Sequence, residues 1–131
     1  MIGLDTNILL RYFVKDDPIQ TPLAVRTMYS LSPHEPGWIS LLVLAELAWT
    51  LRRVFKLNRM AIAEVIAKLL NSQDIVIEQE EIVRQGLHLY STTKADFADC
   101  VIAVSARAMG CTTVATLDEV AARDLGMQLI K

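Results

Sequence analysis

The chain has 131 residues, 53% of them hydrophobic and 21% charged, which leaves room for one ordinary domain and carries too much apolar surface for an intrinsically disordered chain. Its net charge of -2 and pI of about 5.6 exclude a nucleic-acid binder acting through bulk positive charge, but not an enzyme that meets nucleic acid through metal ions. Mean hydropathy is +0.34, yet no apolar run reaches the roughly 18 residues of a membrane span, so a chain this small and apolar is expected to bury further surface in an oligomer.

In chain order, Met1–Leu4 is an apolar run ending at Asp5 and predicts a buried strand. Apolar residues at 8, 9, 10, 12, 13 and 14 predict a helix over Thr6–Val14, and Asp17-Pro18 reads as an N-cap opening a second helix to about Leu31. A Pro-rich loop precedes a short strand at Trp38-Ile39. Ser40 can cap a long helix through Phe55, and Asn58 another over Arg59–Leu70. Ile75–Ile77 is a strand, Glu78–Tyr90 an amphipathic helix, and a further helix runs from Ala95 or Asp96 to Met109, stopped by Gly110. Thr112–Ala115, a short helix over Glu119–Asp124 and Met127–Ile130 complete the pattern. Alternating short strands and helices predict an α/β fold with a mostly parallel sheet covered by helices. No linker or repeat divides the chain, so residues 1–131 are expected to form a single domain. Nothing at the N-terminus resembles an export signal; the chain is expected to be cytoplasmic, with Cys100 and Cys111 reduced and buried.

In such sheets ligands bind at the carboxyl ends of the strands. Asp5 and Asp118 each fall just past a predicted strand. Glu46 lies within Leu41–Trp49, a segment apolar nearly all round, where a buried carboxylate requires a partner or a metal. Asp96 and Asp99, three apart, share one helix face. Each acid also has a structural reading. Asp5, Asp96 and Asp118 can cap helices, Asp99 can favour a helix dipole, and Glu46 can pair with Arg52 or Arg53. Several acids with few cations between them would repel one another unless a divalent cation sits among them, and oxygen-only donors suit Mg²⁺ or Mn²⁺ rather than zinc. His34 and His88 have no zinc-like spacing, and the chain contains no phosphate-binding glycine loop, dinucleotide fingerprint or nucleophile elbow. Carboxylates with Mg²⁺ are suited to phosphoryl transfer to water.

Met1–Leu10 with its Asp5-Thr6-Asn7, Glu46 within its apolar helix, Ala95-Asp96-Phe97-Ala98-Asp99 and Val114-Ala115-Thr116-Leu117-Asp118 resemble, in order, the successive motifs of a PIN domain. Within that family the similarity is to the VapC-type toxin ribonucleases, and it extends over the whole chain. The resemblance implies a three-layer α/β sandwich, with the central sheet covered by helices on both faces. It also implies Mg²⁺- or Mn²⁺-dependent endonucleolytic cleavage of RNA by water. Asp5, Glu46, Asp99 and Asp118 would then hold the metal, with Asp96 supplementing them. Thr6, Asn7 and Thr116 would orient those carboxylates by hydrogen bonds. A homodimer is implied, as is a cognate antitoxin protein lying in an apolar groove near Trp49, Phe13 or Leu51. At the last motif the family often has an aromatic where this chain has Leu117. The basic stretch Arg52–Arg59, like Arg11 and Lys15, reads either as a solvated helix end or as a contact for RNA phosphates. A catalytically silent PIN-like module binding RNA or a partner protein is the alternative. A receiver-like signalling domain is disfavoured by the lack of paired acids before an accepting Asp and of a late Lys.

Overall fold

Strands of two or three residues alternate with helices in a computed structural model that describes all 131 residues. The chain divides into two units, Met1–Glu80 and Glu81–Lys131. The α/β class is as the sequence predicts, and every strand pairing is parallel.

The first unit runs β1 (Ile2–Gly3), α1 (Thr6–Val14), α2 (Gln20–Tyr29), β2 (Gly37–Ile39), α3 (Leu41–Arg53), α4 (Arg59–Asn71) and β3 (Ile75–Ile77). Its sheet has the order β1-β2-β3, with Ile2 opposite Gly37 and Gly37 opposite Ile75. Leu4 N–H donates to the Trp38 carbonyl at 2.9 Å, which carries the β1 ladder to the residue before Asp5. Gly37 is required where it stands: a Cβ there would lie 2.7 Å from Leu4 Cδ1 and 3.0 Å from Leu31 Cδ1. Leu9, Ile39, Leu44, Leu47, Leu51, Ile62 and Ile66 are fully buried. Removing that much branched aliphatic surface from water is the dominant favourable term in the unit's folding.

Side-chain oxygens start both long helices where the sequence predicts. Ser40 accepts from Val43 N–H at 3.1 Å and Asn58 from Ala61 N–H at 2.8 Å. The second helix departs from expectation, because Asp17 does not cap it directly. The Asp17 carboxylate accepts from the N–H groups of Ile19 and Gln20 across a turn, and α2 begins only at Gln20. Arg11, on the last turn of α1, is tied to Asp16 at 2.8 Å and Gln20 at 3.0 Å, while Lys15 Nζ stands 5.1 Å from the Tyr12 ring centroid. Both cations therefore brace the end of α1.

The second unit holds most of α5 (Glu80–Thr92), then α6 (Phe97–Ala108), β4 (Ala115–Thr116), α7 (Glu119–Leu125) and β5 (Gln128–Leu129). β4 pairs with β5, Ala115 opposite Gln128. Helices α5 and α6 approach closely at Gly86, where a Cβ would meet Val101 Cγ2 at 3.0 Å. Tyr90 and Phe97 pack edge to face with centroids 5.9 Å apart. Ala103, Ala121 and Met127 form a buried cluster flanked by Val114 and Leu125. Lys94 N–H donates to the Asp124 carboxylate at 2.9 Å, fastening the segment before α6 to α7.

Cysteine burial is only half as expected. Cys100 is buried and Cys111 exposed, because Gly110 at φ +92° turns the chain out of α6 before it. His34 and His88 are both exposed. No helix is long and apolar enough to cross a membrane.

Candidate functional site

The sequence-predicted acids fall into two sets, one in each unit. In the first, Asp5 sits in the two-residue passage from β1 to α1 as the N-cap of α1, its Oδ1 accepting from Thr6 N–H at 2.9 Å. Thr6 is buried, and its hydroxyl donates to Glu46 Oε1 on α3 in a short hydrogen bond. A buried hydroxyl needs a partner. Glu46 provides it, and one carboxylate rotamer is thereby selected. Asp5, Thr6, Asn7, Leu10, Glu46, Trp49 and Thr50 line a cleft of about 420 Å³.

Glu46 is not buried, contrary to the sequence reading. It lies on the exposed face of α3 with Leu42, 78% exposed, and Trp49, 59% exposed. The segment is apolar nearly all round because it has two apolar faces and only one is covered: Leu44, Leu47, Ala48 and Leu51 point into the core. Of the three apolar residues expected beside a groove, only Trp49 is exposed; Phe13 is half-buried and Leu51 fully buried.

In the second unit Asp96 occupies the N-cap position of α6, but its side chain makes no capping hydrogen bond. Asp99 follows in the first turn of that helix. Asp118 caps α7, its Oδ1 accepting from Ala121 N–H at 2.9 Å, while its own N–H donates to Thr116 Oγ1 at 3.1 Å. Thr116 thus positions the backbone of Asp118 rather than its carboxylate. The Asp99 carboxyl is raised above its usual range, first by partial burial and then by the charges of Asp118 and Asp96. No group of three or more His, Cys, Asp or Glu side chains stands close enough to hold a metal ion in the present geometry. The donors are nonetheless all carboxylate oxygens, the donor chemistry a hard divalent cation takes.

A family model of the PIN domain matches residues 2–124. The chain belongs to the PIN domain family. It is also 32% identical over 112 residues to a VapC ribonuclease from Aquifex aeolicus (strain VF5), an alignment covering 85% of this chain and 82% of that one. Membership accounts for the α/β architecture of short parallel strands and seven helices. It also places the chain within a toxin-type nuclease family.

Sequence reasoning missed the exposure of the α3 face around Glu46. Its signal was available in the spacing of Leu42, Glu46, Trp49 and Arg53, which recur at four, three and four residues along one helical stripe.

Proposed function

We propose that the chain is a single PIN domain over residues 1–131 acting as a Mg²⁺- or Mn²⁺-dependent endoribonuclease, the toxin of a type II toxin–antitoxin pair. Its substrate is RNA, its protein partner a cognate antitoxin, its working form a cytoplasmic homodimer. The observation that carries the reading is the grouping of carboxylates, Asp96 and Asp99 at the start of α6 with the charge of Asp118 acting on Asp99, in a chain of the PIN domain family. The bridged pair of Thr6 and Glu46 beside Asp5 supports it. In this reading Asp5, Glu46, Asp99 and Asp118 are the metal-holding carboxylates, with Asp96 supplementing them.

A divalent cation bound by these carboxylates supplies charge neutralisation at the phosphate and a lowered pKa for the attacking water. The chain's own residues do the rest. Thr6 holds the Glu46 carboxylate through its hydroxyl, and Asp5 is fixed by the strand on one side and the helix on the other. Thr116 and the α7 cap hold Asp118 at its backbone and at one carboxylate oxygen, leaving the group oriented before substrate arrives. Asn7 lines the same cleft.

Titration calorimetry with Mn²⁺, wild type beside Asp5→Asn/Asp99→Asn, tests the reading. Saturable binding lost in the double variant is expected, together with Mn²⁺-dependent cleavage of RNA by the wild type alone. Absence of both, with RNA present, would instead favour the silent binding module.

A further inference from the structure

The exposed stripe of α3 carries more than a metal-site carboxylate. Leu42, Glu46, Trp49 and Arg53 are all exposed on this one stripe. At a rise of about 1.5 Å per residue, Trp49 lies roughly 4.5 Å along the axis from Glu46, and Arg53 roughly 6 Å beyond it. Trp49 lines the same cleft as Asp5 and Glu46 while keeping 59% of its surface in water. An indole is costly to leave so exposed, and its flat face forms the apolar part of an otherwise polar wall made by Asn7, Thr50 and the two carboxylates.

The stripe alternates a carboxylate suited to a cation and hence a phosphate, an aromatic face, and a guanidinium. A single nucleic-acid strand alternates in the same way: phosphate, base, phosphate. We infer that Trp49 is the stacking platform for one unpaired nucleobase beside the scissile phosphate, with Arg53 taking the next backbone phosphate. A paired base keeps both faces stacked on its neighbours and has none to offer the indole, so the contact requires an unpaired base. The inference rests on the nuclease reading above and specifies how that site holds its substrate.

The test follows cleavage of an unstructured oligoribonucleotide in Mn²⁺ by wild type, Trp49→Phe, Trp49→Ala and Arg53→Gln, with the melting temperature and oligomeric state of each. An abasic scan of the same oligonucleotide is run in parallel. Trp49→Ala is expected to raise KM about ten- to a hundredfold, the scale of one lost base–aromatic stack, and Trp49→Phe to stay within about threefold. One abasic position should reproduce that loss in the wild type and add nothing in Trp49→Ala, a coupling that a purely structural tryptophan would not give. Arg53→Gln should reduce the salt dependence of KM by about one phosphate contact. Unchanged KM in Trp49→Ala overturns the inference. So does a KM change that appears only with altered oligomeric state, which would assign the indole to a protein interface. A wild type that cleaves no RNA in Mg²⁺ or Mn²⁺ fails at the nuclease reading itself, so the two failures are distinct.

Discussion

The two acidic sets solve the problem of a carboxylate near a fold's working edge in opposite ways. In the first unit, Glu46 is satisfied by the protein: Thr6 supplies a hydroxyl donor, and Asp5 is engaged by the first N–H of α1. In the second, burial and then the charges of Asp118 and Asp96 raise Asp99. One set is held by hydrogen bonds. The other carries an electrostatic demand that the chain leaves for something else to meet. The difference teaches that hydrogen bonds can settle one pair of carboxylates while burial and like charge leave another, Asp99, unsettled.

The sharpest way to break this comparison is to neutralise the demanding set. Asp99→Asn should lower RNA cleavage about a hundred- to a thousandfold, the loss typical of removing one group that stabilises developing charge. Its metal-free melting temperature should equal or exceed that of the wild type, because an opposing charge is gone. Cleavage assays and thermal melts read both, and near-wild-type activity would remove Asp99 from the site.

Thr6→Val keeps the buried shape and removes the hydroxyl that holds Glu46. Activity or metal affinity is expected to fall about ten- to a hundredfold, with a stability cost of about 1 kcal/mol. Metal titration with a denaturant melt checks this. Ser40→Ala removes the donor-accepting cap of the helix that carries Glu46 and should cost about 1 kcal/mol without touching the second unit. Hydrogen exchange slowed less in α3 than in α6 would locate that effect.

The smallest effects are in pH dependence, and they have opposite signs. Asp99 is raised, so ionising it is harder in the folded chain: its unfavourable contribution is absent below the ordinary value of 3.8 and develops as pH rises through the raised value. Asp17 is lowered by the N–H groups of Gln20 and Ile19, so its stabilisation is present above 3.8 and lost as pH falls through the lowered value. Denaturant midpoints of metal-free protein across the acid range should show both slopes. Asp99→Asn should flatten the upper one and Asp17→Asn the lower.

Much of this was legible because local rules decide it. Ser40 and Asn58 announce their helices, and Gly110 ends α6, since a capping oxygen or a positive φ acts within a few residues. Asp17-Pro18 misled by two residues because the same Asx chemistry that caps a helix also closes the turn before one. The order of the acids was readable from motif spacing. The exposure of Glu46 was not: hydrophobicity reports that a face is apolar, not whether anything covers it. Leu51 and Trp49, two residues apart on α3, look alike in the sequence and end up on opposite sides of the helix. Cys111 failed for the related reason that apolar neighbours in sequence are not neighbours in space.

Only Leu4 and Asp5 separate the last strand residue of β1 from the first helical residue of α1. Leu4 is bound to Trp38 of the neighbouring strand, while the Asp5 carbonyl already accepts from Ile8 in the first turn. The junction therefore has no slack. The position of residue 5 is fixed, for one inserted residue would turn the carboxylate about 100° around the helix axis or tear Leu4 from its strand. Sequence drift at this junction should almost never appear as a change of length.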